Sequence, residues 1–210
     1  GMGYQSLNGL TTGDSNVCIG SSTGYAITTA NKTIFIGHSA GQAVTVTGGS
    51  NVSDGTVGIG YQALTALTSG AQNTAIGYTA LDVENTGSYS TAVGYEALTA
   101  QTGGASATKG NTAVGTMAGK GITGGQYNTA VGWLAADTHD TSGGTYIGQA
   151  AGSDGTGDYC IFVGMGAGET GDNTQDGTIG IGFNSLKALT SGGSNLAVGY
   201  NALAANTTGG

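Results

Sequence analysis

The sequence predicts an all-β fold, a parallel β-solenoid of about twelve ~17-residue turns. The first observation behind it is a repeated phrase. "NTAVG" occurs at Asn111–Gly115 and at Asn128–Gly132, with variants "NTAIG" from Asn73, "STAVG" from Ser90 and "NLAVG" from Asn195. The second is its spacing. The glycine that follows an aliphatic residue recurs at Gly3, Gly20, Gly37, Gly60, Gly77, Gly94, Gly115, Gly132, Gly148, Gly164, Gly182 and Gly199, with successive gaps of 17, 17, 23, 17, 17, 21, 17, 16, 16, 18 and 17. The third is the length of the apolar runs, two to five residues, too short for amphipathic helices but suited to short strands.

Each copy justifies its own elements. The Thr-x-Val/Ile stretch before the glycine is branched at Cβ and favours extended backbone. After the glycine come a slot that is often aromatic, then a free position, then Ala or Ser, then Leu or Gly. "AIGYTAL" (Ala75–Leu81) and "AVGYNAL" (Ala197–Leu203) have the Leu form; "FIGHSAG" (Phe35–Gly41) and "YIGQAAG" (Tyr146–Gly152) have the Gly form. The remainder is Thr, Ser, Gly and Asn, the composition of turns. One buried Val or Ile contributes about 1.5–3 kcal/mol, against roughly 1–2 kcal/mol of backbone entropy per ordered residue. A single turn is therefore not stable alone, and neighbouring copies must stack, with like residues in ladders at roughly 4.8 Å. Side chains alternate along a strand, so Thr74 and Ile76 share one face while Ala75 and Gly77 share the other. That nearly bare Ala/Gly face is expected to meet a second copy of the chain.

Composition narrows the function. The chain has 210 residues, 44 of them Gly, 4 Lys, no Arg and 12 acidic residues, for a net charge of −8. With no Arg, only 4 Lys and a net negative charge, no nucleic-acid partner is expected. No run approaches the ~20 apolar residues of a membrane span, and no signal peptide is recognisable in residues 1–20. Residues 1–210 read as a single repeat domain that begins and ends inside its own pattern, a fragment of a longer fibre.

The phrases "STAVGYEAL" and "NTAIGYTAL" resemble the head repeats of trimeric autotransporter adhesins (YadA-like heads) and similar repeats of bacteriophage tail fibres. The resemblance covers all twelve copies. It implies a left-handed parallel β-roll, a homotrimer, and display outside a cell or virion, with no catalytic residues. The turns here are longer than the usual adhesin-head repeat, and no coiled-coil stalk or membrane anchor accompanies them.

Candidate sites are few. The slot after the repeat glycine holds Tyr4, Tyr61, Tyr78, Tyr95, Trp133, Phe183 and Tyr200, which could stack on sugar rings, although a structural ladder is the favoured reading. The two expanded gaps contain "VTVTGGSNVSDG" and "TGGASATKG", expected to bulge outward on the binding face. Tyr61, Tyr78, Tyr95, Trp133, Asn51, Asp54 and Lys109 are thus the candidate contacts for a host-surface glycan or protein receptor. "GIGYQA" (Gly58–Ala63) and "GIGFNS" (Gly180–Ser185) imitate a dinucleotide fingerprint but are followed by no helix, so no cofactor is expected. Asp172, Thr174, Asp176 and Gly177 imitate half a calcium loop, with Phe183 where the bidentate Glu belongs. Together with Asp154, Asp158 and Glu169 they read by default as solvated turns, and no metal is expected. Cys18 and Cys160, about eight turns apart, cannot pair and should fill small core slots. His38 and His139 are also too far apart to share a metal or a catalytic centre. Sequons at Asn31, Asn51 and Asn206 decide nothing without a known compartment.

The expected function is a structural or adhesive segment of an extracellular fibre on a virion or bacterial surface, not an enzyme. Two rivals are an ice- or crystal-binding solenoid, which requires regular outward Thr-x-Thr pairs where only cases such as Thr45 and Thr47 occur, and a β-helical polysaccharide-degrading enzyme, whose carboxylates could only lie near 154–176.

Overall fold

The computed structural model describes residues 1–44, 54–104, 108–138, 140–155, 157–170 and 176–208. Two compact units divide the chain, Gly1–Gly110 and Asn111–Gly210. In the first, β1 (Val17–Ile19), β2 (Ile34–Ile36), β3 (Val57–Ile59), β4 (Thr74–Ile76) and β5 (Thr91–Val93) pair in parallel in chain order. In the second, β6 (Thr112–Val114), β7 (Thr129–Val131), β8 (Thr145–Ile147), β9 (Ile161–Val163), β10 (Ile179–Ile181) and β11 (Leu196–Val198) do the same. Equivalent positions face one another: Thr74 pairs with Thr91, Ala75 with Ala92 and Ile76 with Val93.

The fold is an all-β parallel β-solenoid of about ten turns, slightly fewer than the twelve copies of the phrase. The difference lies at the first copy, where Met2 makes only an isolated bridge to Ile19, so strands begin at the second copy and turns are completed strand to strand.

The repeat glycine is dictated by contact between turns. A Cβ on Gly60 or Gly77 would stand 2.1 Å from the carbonyl oxygen of Gly77 or Gly94 respectively, and the φ of these glycines, +136° and +148°, already disfavours an L side chain. The same clash recurs in the second unit, 2.5 Å between Gly115 and the Gly132 oxygen.

Burial reverses one expectation. The middle residue of each strand points into the coil and the branched residues on either side point outward: Ala75 and Ala113 are fully buried, while Ile76 and Val114 are exposed. The bare face is thus the interior of the turn and does not meet a second copy. The reason lies in the segment after the glycine. Leu64, Leu81 and Leu98 adopt left-handed backbone at φ +55°, +51° and +51° and turn their side chains inward. Such a conformation costs a non-glycine residue roughly 1–2 kcal/mol. Hydrogen bonding to the next turn offsets that cost, with Leu64 N–H donating to Ala80 O at 3.1 Å and Leu81 N–H to Ala97 O at 3.1 Å. Ala63, Ala80 and Ala97 fill the remaining space from the same side.

The two forms of the phrase are two ways to fill one volume. Where the strand centre is Gly58, Ala75, Ala92 or Gly180, Leu64, Leu81, Leu98 or Leu186 enters from the turn; where it is aromatic, as at Phe35, Tyr146 and Phe162, Gly takes Leu's place; Ala113 is followed by Gly119 and Ala130 by Ala136, which follow neither form. A Cβ on Gly41 would lie 2.6 Å from the Phe35 ring, one on Gly152 2.4 Å from Tyr146 and one on Gly168 2.8 Å from Phe162.

The Asn of "NTAVG" also has a structural task. Buried Asn73 donates its amide to Gly87 O (2.7 Å) across the corner of its own turn, and its Oδ1 accepts from Ser90 N–H (2.9 Å) in the next. Asn111 repeats this with Gly125 O (2.9 Å) and Asn128 N–H (2.8 Å).

Candidate functional site

Four of the seven candidate contacts stand in the column after the repeat glycine. In-register strands place Tyr61, Tyr78 and Tyr95 directly over one another, with His38 beneath them. Ring centroids are 5.4, 5.1 and 5.2 Å apart and the planes are within 14° of parallel. The facing surfaces of successive rings are covered, and the three tyrosines expose 42%, 47% and 44% of their surface. His38 belongs to this ladder, and its signal in the sequence was only its place one residue after Gly37. Its Nδ1 lies 3.0 Å from the Ser39 hydroxyl.

Trp133 differs. Its partners in the column are Thr116 and Gln149, no ring stacks on it among the described residues, and it is 55% exposed.

Asn51, Thr45 and Thr47 lie outside the described residues. Asp54 is half-buried, and its carboxylate accepts the Asn31 N–H at 2.8 Å, just as Asn31 Oδ1 accepts the Asp14 N–H at 2.9 Å one turn earlier. It caps a corner of the coil.

Lys109 is corrected outright. Expected on an outward bulge, it is only 2% exposed. Thr108 bridges to Ser88, and the amides of Lys109 and Gly110 both donate to Ser88 O, at 3.2 and 3.3 Å, which draws the end of the expansion back onto the stack. The Lys109 stem and the Glu84 carboxylate flank the place a Cβ on Gly87 would occupy.

Around them is a buried polar cluster. Glu84 and Gln101 are fully buried at the position seven residues after the repeat glycine, which Ile27, Val44, Leu67, Ile122 and Leu189 fill elsewhere. Glu84 Oε1 accepts from the amides of Thr86 (3.0 Å) and Gly87 (2.6 Å), and its Oε2 from Gln101 Nε2 (2.8 Å), which also reaches the Ser90 hydroxyl (3.1 Å). Sequence reasoning missed this cluster. Its signal was a carboxylate and an amide in consecutive copies of an otherwise apolar slot.

The acidic stretch is largely engaged in corners. Asp158 accepts the Ser142 N–H at 2.8 Å, Asp176 accepts the Asp158 N–H at 2.9 Å, and Glu169 pairs with Lys187 at 2.9 Å. Asp172, Thr174 and His139 lie outside the described residues. Among the described residues no three of His, Cys, Asp and Glu gather in a way that could hold a metal ion. Asp140 is a further cap: burial alone would raise its carboxyl, but the Thr123 hydroxyl and the amides of Gly125, Gly124 and Thr123 together hold it below the ordinary carboxylate value.

Cys18 and Cys160 are buried thiols joined in no disulfide. Burial pushes Cys18 up to about 11 and raises Cys160 as well, so neither forms a thiolate nucleophile at neutral pH. Gly60 and Gly182, within the two dinucleotide-like phrases, are ordinary members of the glycine column followed by turns.

No helix among the described residues is long and apolar enough to cross a membrane. Comparison with protein-family models, with curated proteins and with solved structures gives no match.

Proposed function

We propose that this chain is a structural and adhesive segment of an extracellular fibre, on a phage tail or a bacterial surface, that gives reach and carries surface attachment. It acts as a homotrimer, without enzymatic activity or cofactor. One observation carries the reading: the strands present an outward column of branched apolar side chains. Val17, Ile19, Ile34 and Ile76 in the first unit and Val114, Ile147 and Ile181 in the second are 37–44% exposed. A lone coil gains nothing from such a column, whereas covering it against a partner returns about 25 cal/mol per Å² of apolar surface. The case for a partner therefore rests on the branched face.

The modular core supports the same reading. Within each unit every strand pairs in register with the next, so length can be added without a new core. The outward strand positions pair Thr, Val or Ile with Ile or Val, as in Thr74 with Ile76, which is not the Thr-x-Thr array of a lattice binder.

Native mass measurement tests the assembly, with three times the 20.2 kDa chain mass expected. A monomer at micromolar concentration would remove the reading of the branched face. Attachment is tested on cells or capsule-bearing bacteria, where the fibre segment should bind and a bare solenoid spacer should not.

A further inference from the structure

We infer that Asp82 is a proton-operated clasp between turns of the first unit: with a proton on its carboxyl it donates a hydrogen bond to Gln62 O of the preceding turn, and as the anion it cannot. The device belongs to the coil itself and holds whether or not the chain attaches to a surface.

The slot five residues after the repeat glycine is a donor slot in the turns on either side. Thr65 occupies it after Gly60 and Thr99 after Gly94. The Thr65 hydroxyl donates to Ser39 O (3.1 Å), the carbonyl two residues after the glycine of the preceding turn, and to Gln62 O (2.9 Å), its counterpart in the same turn. The Thr99 hydroxyl donates to Thr79 O (3.4 Å), again two residues after the glycine of the turn before. In both cases a side-chain donor closes one turn onto a backbone acceptor of the last. Asp82 fills the slot in the turn between them, after Gly77, where the equivalent acceptor is Gln62 O. The backbone keeps the same register there, with Ala43 N–H donating to Thr65 O and Ala66 N–H to Asp82 O, both at 3.0 Å. Because Thr65 shares its hydroxyl between two carbonyls, Gln62 O can take the bond from Asp82 while Thr65 keeps Ser39 O.

The anion does not suit this slot. A carboxylate only accepts, whereas the acid form carries one O–H donor. Asp82 Oδ1 is buried and has no hydrogen-bond partner among the described residues, so as part of an anion it loses its hydration with nothing in return. Burial is the main influence on the carboxyl and raises its titration. Glu96 of the following turn raises it further by like charge, and the amides of Val83 and of Asp82 itself act in the opposite direction but are outweighed. Gln62, Thr65 and Thr99 carry no charge, so the slot and its acceptor supply no cation to hold the anion.

The sign of the pH effect follows. The folded chain binds this proton more tightly than the unfolded one, so the clasp's contribution is full below the ordinary aspartate value and is lost as the pH rises through the higher folded one.

The test uses the whole chain labelled with carbon-13 at the aspartate carboxyls. The Asp82 resonance, assigned by its loss in Asp82→Asn, should titrate above the ordinary aspartate value. Amide hydrogen exchange reads the seam between turns. Protection of Leu64 and Ala66, which donate to Ala80 O and Asp82 O, should rise as Asp82 takes up its proton, while Leu186 and Ala188, their equivalents in the second unit, should show no such step. In urea, the ratio of the unfolding constants of the native chain and Asp82→Asn should change by up to about tenfold per pH unit between the ordinary and the folded value, the signature of one linked proton. Asp82→Thr, which installs the donor of the neighbouring turns, should keep Leu64 and Ala66 protected at every pH, and it replaces Asp82→Asn in the comparison if that variant does not fold. The inference is overturned if the resonance titrates at or below the ordinary value, if the protection of Leu64 and Ala66 ignores that titration, or if the two unfolding constants keep a fixed ratio across the window.

Discussion

The turn built on Phe35 and the turn built on Ala75 share a backbone and differ in filling. In the first, an aromatic ring at the strand centre occupies the coil and Gly41 stands aside; in the second, Ala75 recedes and Leu81 enters from the turn. Both glycine-column geometry and left-handed backbone four residues later are the same, with φ +58° at Gly41 and +51° at Leu81. What the difference teaches is that these two turns fill a similar interior volume jointly from two positions six residues apart, while the close approach of successive glycines is fixed.

The largest effect should come from breaking what the two turns share. Gly77→Ala places a methyl where the Gly94 carbonyl oxygen lies 2.1 Å away, and neither backbone can withdraw without breaking the stack. The loss should exceed about 4 kcal/mol, measured by urea unfolding, with exposure of the turns on both sides in hydrogen exchange. A stable variant with unchanged exchange would show that the column tolerates side chains.

The second test concerns the turn that departs from both fillings. Glu84→Ala removes the acceptor of the Thr86 and Gly87 amides and of Gln101 Nε2 and should cost about 1–3 kcal/mol, whereas Glu84→Leu combined with Gln101→Leu, the filling of this slot elsewhere, should cost less. A harmless single change would show that these hydrogen bonds contribute nothing to stability.

Much of this was legible in the sequence. The period located the strands because Thr, Val, Ile and Gly recur at positions where each is individually required, and the eleven strands among the described residues fall one in each copy from the second onward. The inside and outside of those strands were not legible. Alternation says only that Ala75 and Ile76 face opposite ways, and the choice between faces depended on Leu81 at left-handed φ, which nothing in a Leu announces. The aromatic column was visible as a column, but stacked and open rings look alike in a sequence; only the neighbours of Trp133, Thr116 and Gln149, distinguish it. Lys109 was misread because an insertion implies a bulge, and its return to Ser88 depends on backbone pairing of Thr108 that carries no residue signature.

A smaller effect separates the corners of the second unit. With its carboxyl held below the ordinary aspartate value, Asp140 contributes stability that is present above that ordinary value and is lost as the pH falls through the lower folded one. Asp140→Asn should flatten the acid limb of the stability curve below about pH 4 and change little at pH 7 beyond the loss of one charge-assisted cap. An unaltered acid limb would remove Asp140 from this role.

The shared-volume claim is tested most directly by a double-mutant cycle at Phe35 and Gly41. Phe35→Ala alone should cost about 3–5 kcal/mol by opening a cavity, and Gly41→Leu alone should be destabilising because its side chain meets the Phe35 ring. The double variant converts this turn to the Leu form and should recover about 2 kcal/mol or more relative to the sum of the singles. Strictly additive losses in urea unfolding would contradict the account.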